Sequence, residues 1–146
     1  MARLLTTLGL LMVMATSAFA DNATVEMWNK DPDDKKRKMV FSQEIVTIEP
    51  GESVNWLATD KGHNVQMIDG PDGFKLPGKS KVSKDITLTF DTPGVYVYVC
   101  TPHATMGMIG IVVVGELTQE AIDAVRDAKL RGKSKKKFAA LLEELP

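Results

Sequence analysis

The sequence predicts a mainly β protein: a β-sandwich with two C-terminal α-helices packed on it. Three observations carry this. Short apolar or alternating runs recur between residues 25 and 114, separated by Pro-Gly turns, as sandwich strands are. Two of the runs, Val95 to Cys100 and Ile109 to Val114, are apolar almost throughout, as strands covered on both faces would be. Beyond residue 117 the apolar spacing changes to that of helices.

Taken in order, Val25 to Trp28 is a short first strand, and Asp31 to Lys38 is a charged loop containing Pro32. β-branched residues resume between Met39 and Ile48. Pro50-Gly51 marks a tight turn, where proline presets φ and glycine accepts a positive one. Val54 to Leu57 follows. Residues 60 to 81, with glycines at 62, 70, 73 and 78, read as loop and irregular structure. Ile86, Leu88 and Phe90 alternate with Thr87 and Thr89, a half-buried strand. Pro93-Gly94 is a second turn, before the two apolar strands.

Thr118 is expected to cap a helix whose apolar positions include Ala121, Ile122, Val125 and Ala128. Gly132 is its expected stop. Ser134 is the expected cap of a second helix, with Phe138, Leu141, Leu142 and Leu145 on one face. Lys135, Lys136 and Lys137 fall in the first turn of that helix and Glu143 and Glu144 in its last. Both placements oppose the helix macrodipole, by about 0.3–1 kcal/mol per exposed charge, so the helix must depend on packing.

The chain opens with the features of a removable export signal. Arg3 supplies a positive start, Leu4 to Met14 is apolar, and Ala18-Phe19-Ala20 is a small-x-small cleavage pattern. The apolar stretch is too short to favour a membrane span, which needs roughly 20 residues. The expected organisation is a signal peptide over 1–20 and one domain over 21–146, a length sufficient for a real core. Losing the single Arg of the signal takes the formal charge from −1 to −2. So small a net charge argues against nucleic acid as the main partner. No other segment is apolar enough to span a bilayer, so no membrane span is expected in the mature chain.

Cysteine usage is unusual for an exported domain. Such domains pair their cysteines, but Cys100 stands alone among 146 residues. A lone thiol in an oxidising compartment must be buried or occupied. Metal ligation is one way to occupy it.

The surrounding residues supply the other donors. Cys100-Thr101-Pro102-His103 ends the most apolar strand, and Met108 follows five residues after His103, directly before the strand that starts at Ile109. The other histidine lies in Lys61-Gly62-His63-Asn64-Val65, between apolar neighbours Trp56 and Val65. Two imidazoles, one thiolate and a weak thioether form the donor set of a blue-copper electron-transfer site. The sulfur donors are soft and favour Cu(I), and imidazole binds both oxidation states. A structural zinc site would use more cysteines and no methionine.

Each residue alone has an ordinary reading. A lone strand cysteine is usually a small core hydrophobe, a methionine core filler, and a loop histidine a solvated side chain. Their coincidence in one ligand pattern favours copper. Copper storage or delivery is the nearest alternative, and it would be supported by a flexible Met- and His-rich tail, which is not present. A metal-free ligand-binding sandwich leaves the coincidence unexplained. An enzyme is disfavoured, because four protein ligands leave no open position for substrate.

Cys100-Thr101-Pro102-His103-Ala104-Thr105-Met106-Gly107-Met108 resembles the ligand loop of the cupredoxins, and its Cys-x-x-His-x-x-x-x-Met spacing also occurs in plastocyanin. Asp60 to Val65, Met106-Gly107-Met108, Asn29-Lys30, Met39-Val40-Phe41 and the two C-terminal helices resemble the pseudoazurin family in particular. The resemblance covers essentially the whole mature chain. It implies a cupredoxin Greek-key sandwich, a plastocyanin-like blue copper domain, holding one copper through His63, Cys100, His103 and axial Met108. It implies that Asn64 ties the two ligand loops together and donates a hydrogen bond toward the cysteine sulfur, and that Met39 packs near the exposed ligand histidine. Glu26 stands where some family members have a histidine, and Ala104 where they often have an aromatic residue. Neither departure touches a ligand.

The expected function is that of a periplasmic one-electron carrier, cycling copper between Cu(II) and Cu(I). His103 is the expected solvent-facing ligand, ringed by Pro102, Ala104, Met106 and Gly107, with electrons passing at its edge. Lys30, Lys36, Lys38, Lys61, Lys79 and Lys81 are candidates for steering a partner, an effect on rate more than affinity. The resemblance implies redox partner proteins: an acidic-surfaced acceptor such as copper nitrite reductase, and a cytochrome or similar donor. A monomer is expected.

Overall fold

The computed structural model describes residues 22–145. The expected signal peptide and its cleavage site lie outside the described residues. Among the described residues, eight strands form two four-stranded sheets. One sheet contains β1 (Ala23–Lys30), β2 (Lys38–Phe41), β4 (Glu52–Leu57) and β6 (Ile86–Phe90), in the order β2-β1-β4-β6. The other contains β3 (Ile45–Ile48), β5 (Gln66–Asp69), β7 (Gly94–Val99) and β8 (Ile109–Val114), in the order β3-β8-β7-β5. β1 runs parallel to β4 and β3 parallel to β8, and the other pairs are antiparallel. The chain crosses from sheet to sheet at every connection from β2 to β7, which makes a Greek-key sandwich.

Strand alternation explains the two fully apolar runs. Tyr96, Tyr98 and Cys100 of β7 and its end, with Val112 and Val114 of β8, face the core between the sheets. Val95, Val97 and Val99, with Ile109, Ile111 and Val113, face a second core. That second core is closed by Val125 of α1 (Gln119–Val125) and by Phe138 and Leu141 of α2 (Lys133–Glu143). The two central strands of this sheet are therefore buried on both sides, by the partner sheet and by the helices.

Gly110 is a local requirement of this packing. It pairs with Tyr98 across β7 and β8. A Cβ at 110 would lie 2.3 Å from Tyr98 Cζ and 2.4 Å from its hydroxyl oxygen. Glycine in the middle of a buried strand, normally a cost in order and packing, is here the space for a tyrosine.

Four sequence expectations need correction. The 60–81 region contains β5, which pairs with β7 through Gln66↔Val99 and Met67↔Tyr98 before a bulge. Only Met67 of its four residues is buried, so it carries too little apolar pattern to read as a strand. The β-branched 39–48 stretch supplies β2 and β3, which lie in opposite sheets. The first helix is capped by the Thr118 hydroxyl, which accepts from Ala121 N–H at 3.1 Å, but it ends at Val125, before Ala128. Gly132 starts the second helix rather than stopping the first, at φ 59°, and Ser134 makes no capping bond. Ser134 is instead fully buried within the first turn of α2.

The reversed charges of α2 have a partial explanation. Lys137 forms an ion pair with Glu44, which also takes Arg37 at 3.3 Å. Arg37 in turn pairs with Asp31. The cation that opposes the helix dipole thus anchors α2 to the sandwich.

Candidate metal centre

The site lies at one end of the sandwich, where two loops meet. The first connects β4 to β5. Gly62 turns it at φ 94°, a backbone conformation open to glycine. Asp60 N–H donates to Met27 O, Gly62 N–H to Ser83 Oγ at 2.9 Å, and Ser83 N–H to His63 O at 2.8 Å. These bonds hold His63, which is fully buried.

The second loop leaves β7 at Cys100 and winds through a 3-10 segment, Thr101–Met106, with a proline in its first turn. Gly107, at φ 97°, ends it. Cys100 N–H donates to Met108 O at 3.0 Å, His103 N–H to Cys100 O at 3.1 Å, and Met108 N–H to His103 O at 3.2 Å. The backbones of all three predicted ligands on this loop are therefore tied to one another.

The donor atoms converge. Cys100 Sγ lies 3.6 Å from His63 Nδ1 and 3.5 Å from His103 Nδ1, and the two Nδ1 atoms are 3.2 Å apart. The centre of such a triangle is about 2 Å from each corner, the length of a transition-metal bond to nitrogen or sulfur. Met108 is fully buried in the same apolar cluster as Cys100. His63, Cys100 and His103, with Met108, are positioned like a blue copper site. The residues present fit the ion they were expected to hold.

The electrostatics favour a neutral pocket awaiting a cation. Burial pushes the Cys100 thiol above its ordinary value, opposed by the backbone N–H groups of Asn64 and His103 directed at the sulfur. Burial lowers the pKa of His63, helped by His103 beside it and opposed by Asp60. Burial lowers His103 as well. Neutral imidazoles are the form that binds metal.

Asn64 is fully buried between the two loops. Its Oδ1 accepts from Thr101 N–H at 2.8 Å and Thr101 Oγ–H at 2.9 Å, and its Nδ2 donates to Ser80 O at 3.3 Å. The donor facing the sulfur is the Asn64 backbone, not its side chain. Met39 sits half-buried on β2, at φ 51°, packed against the core cluster that contains Cys100 and Met108.

His103 is half-buried, so it is the ligand nearer solvent. Its expected ring is only partly there. Pro102 is exposed and Met106 is 51% exposed, but Ala104 packs into the helix-side core and Gly107 is buried close to Lys133 and Lys137. The 3-10 winding turns those two residues toward α2.

Sequence reasoning missed one residue of the site. His63 Nε2 lies 3.0 Å from Asn29 Oδ1, on β1. Asn29 stood in a stretch that matched the family, but nothing local marked it as the partner of a histidine 34 positions away.

Comparison with known proteins agrees with this geometry. Residues 29–115 match the family model for copper binding proteins of the plastocyanin/azurin family. A pseudoazurin of Paracoccus pantotrophus is 38% identical over 140 residues, spanning 92% of this chain and 91% of that protein. A pseudoazurin of Methylorubrum extorquens is 40% identical over 131 residues, spanning 87% and 86%. The crystal structure of pseudoazurin from Methylobacterium extorquens AM1 superposes with a TM-score of 0.76 at 33% identity, covering 86% of this chain and all of that one. Matches at this identity over more than four fifths of the chain mean that it belongs to the pseudoazurins, within the plastocyanin/azurin family of copper-binding proteins.

Proposed function

We infer that this chain is a one-electron carrier of the periplasm, taking electrons from a cytochrome-like donor and delivering them to an acceptor such as copper nitrite reductase. The observation that carries the electron-carrier reading is the convergence of His63 Nδ1, Cys100 Sγ and His103 Nδ1 beside a buried methionine. Copper bound there supplies a Cu(II)/Cu(I) couple.

The protein's own part is to hold the donors still. His63 is fixed by Asn29, and the Cys100–Met108 loop by its three internal backbone bonds and Asn64. A donor set that does not rearrange suits both oxidation states. Cys100 must surrender its proton on loading, so uptake of copper releases a proton. The sulfur then has the Asn64 and His103 backbone N–H groups facing it, which favour the thiolate.

His103 offers the short way in. Its half-buried imidazole lies in the same loop as exposed Pro102 and Met106, an apolar surface that a partner could cover and dry. Lys30, Lys36, Lys38, Lys61, Lys79 and Lys81 are all exposed and would steer an acidic-surfaced acceptor. The export-signal pattern of residues 1–20 supports the periplasm.

The test is the visible spectrum of the purified protein after adding Cu(II) and then a reductant. An intense band that bleaches on reduction supports thiolate ligation and a working couple. Copper binding without that band removes Cys100 from the ligand set and the carrier reading with it.

A further inference from the structure

Ser134 is a buried polar residue that the copper site does not explain. It lies in the first turn of α2, with no exposed surface, and caps nothing. A serine facing a core is costly unless its hydroxyl is bonded. Its Oγ–H donates to Ala104 O, 30 residues away.

That carbonyl sits in the ligand loop, immediately after His103. Ala104 O also accepts Gly107 N–H at 3.0 Å, the bond that closes the 3-10 segment before Met108. The same turn of α2 touches the loop twice more. A Cβ on Gly132 would lie 2.5 Å from Thr105 O and 2.9 Å from Thr105 Cα, so the missing side chain is what lets the helix approach. The Gly107 Cβ position is 3.5 Å from Lys133 Cβ. Three of the four residues between His103 and Met108 are thus in contact with one helical turn, and Ser134 supplies the directional bond among those contacts.

We propose that Ser134 is a positioning residue for the copper site: by holding the Ala104 carbonyl it sets where His103 and Met108 stand relative to Cys100. The helical extension would then serve the metal centre as well as covering the sheet. The proposal rests on the copper reading. It goes beyond it by giving a residue of α2, outside the ligand set, control over the ligand geometry.

The test uses four variants of the full mature chain: S134A, S134V, S134T and L141A. Leu141 is buried in the helix-side core and reports general loosening of α2. Threonine and valine have the same shape and differ in the hydroxyl. The readouts are the visible band and reduction potential of the copper-loaded protein, its rate of copper extraction by a chelator, and Gly107 amide hydrogen exchange in the metal-free protein.

S134A and S134V are expected to shift the band and potential, lose copper about tenfold faster, and exchange the Gly107 amide faster. S134T is expected to match the unsubstituted protein, and L141A to lower Tm with the band unmoved. The proposal is overturned if S134A or S134V keeps the original band and exchange rate, if S134T departs as far as S134V, if L141A moves the band equally, or if both S134A and S134V fail to fold. A colourless unsubstituted protein would sink the copper reading instead, while Gly107 exchange would still decide the role of Ser134.

Discussion

His63 Nε2 and Asn29 Oδ1 lie 3.0 Å apart, with the imidazole nitrogen donating and the amide oxygen accepting. That bond keeps the proton on Nε2 and leaves the Nδ1 lone pair facing Cys100 and His103. It also joins β1 to a loop of the metal centre. Asn29 is itself held, since its backbone N–H donates to Asp60 Oδ2 at 2.6 Å. Partners of this kind fix both the tautomer and the orientation of a ligand histidine.

N29A should therefore weaken copper binding by roughly 10–100-fold without removing a ligand. Competition with a chelator of known affinity measures it. The visible band should persist, because Cys100 is untouched. Unchanged affinity would mean that packing alone orients His63.

N64A should destabilise the protein even without metal. The change strands Thr101 N–H and Ser80 O, which both bond the Asn64 side chain inside the structure. Buried groups left unsatisfied cost about 1–3 kcal/mol each. A denaturant titration of the metal-free variant should show a loss of about 2 kcal/mol or more. A loss well below 1 kcal/mol would show that the two loops do not need this tie.

G110A should be among the most damaging single methyl additions available. The new Cβ would meet Tyr98 Cζ at 2.3 Å, and the fully buried tyrosine has nowhere to withdraw. Overpacking of this kind costs about 1–3 kcal/mol, and more where the site is rigid. Pairing G110A with Y98L should recover part of the loss, a non-additivity expected of contacting residues. Thermal denaturation of the two single variants and the double variant decides it.

Asp31 should make stability fall in acid. Its carboxylate accepts from Asp33 N–H at 2.9 Å and Asp34 N–H at 3.2 Å and pairs with Arg37, which together hold its pKa below the ordinary 3.8. A depressed folded-state pKa stabilises above the unfolded value, and the contribution is lost as pH falls through the folded one. D31N should therefore be less stable than the parent at neutral pH, and the gap should close below pH 3.8. A gap that stays constant across that range would show that the loss comes from hydrogen bonding alone.

Much of the site was legible because its signal is local. Cys100, His103 and Met108 lie on one short loop between two apolar strands, and the lone cysteine of a chain with an export-signal pattern has to be buried or occupied. Thr118 was legible as a cap for the same reason, since capping is decided within one helical turn. Ser134 shows the limit of that logic. It has the composition and position of a cap, but its hydroxyl is taken by a carbonyl 30 residues away, and Gly132 starts the helix instead.

What the sequence by itself determined is the set of donors and the sandwich around them. Period-two alternation, Pro-Gly turns and ligand spacing are all written within a few residues of one another. What only the tertiary structure decided is who meets whom across the chain. β5 exists because β7 offers it an edge, although its own apolar pattern is faint. Asn29 matters because β1 ends beside His63, and Ser134 because α2 lands on the ligand loop. Such pairings depend on how sheets and helices close on one another, and residues 30 positions apart carry no local trace of it.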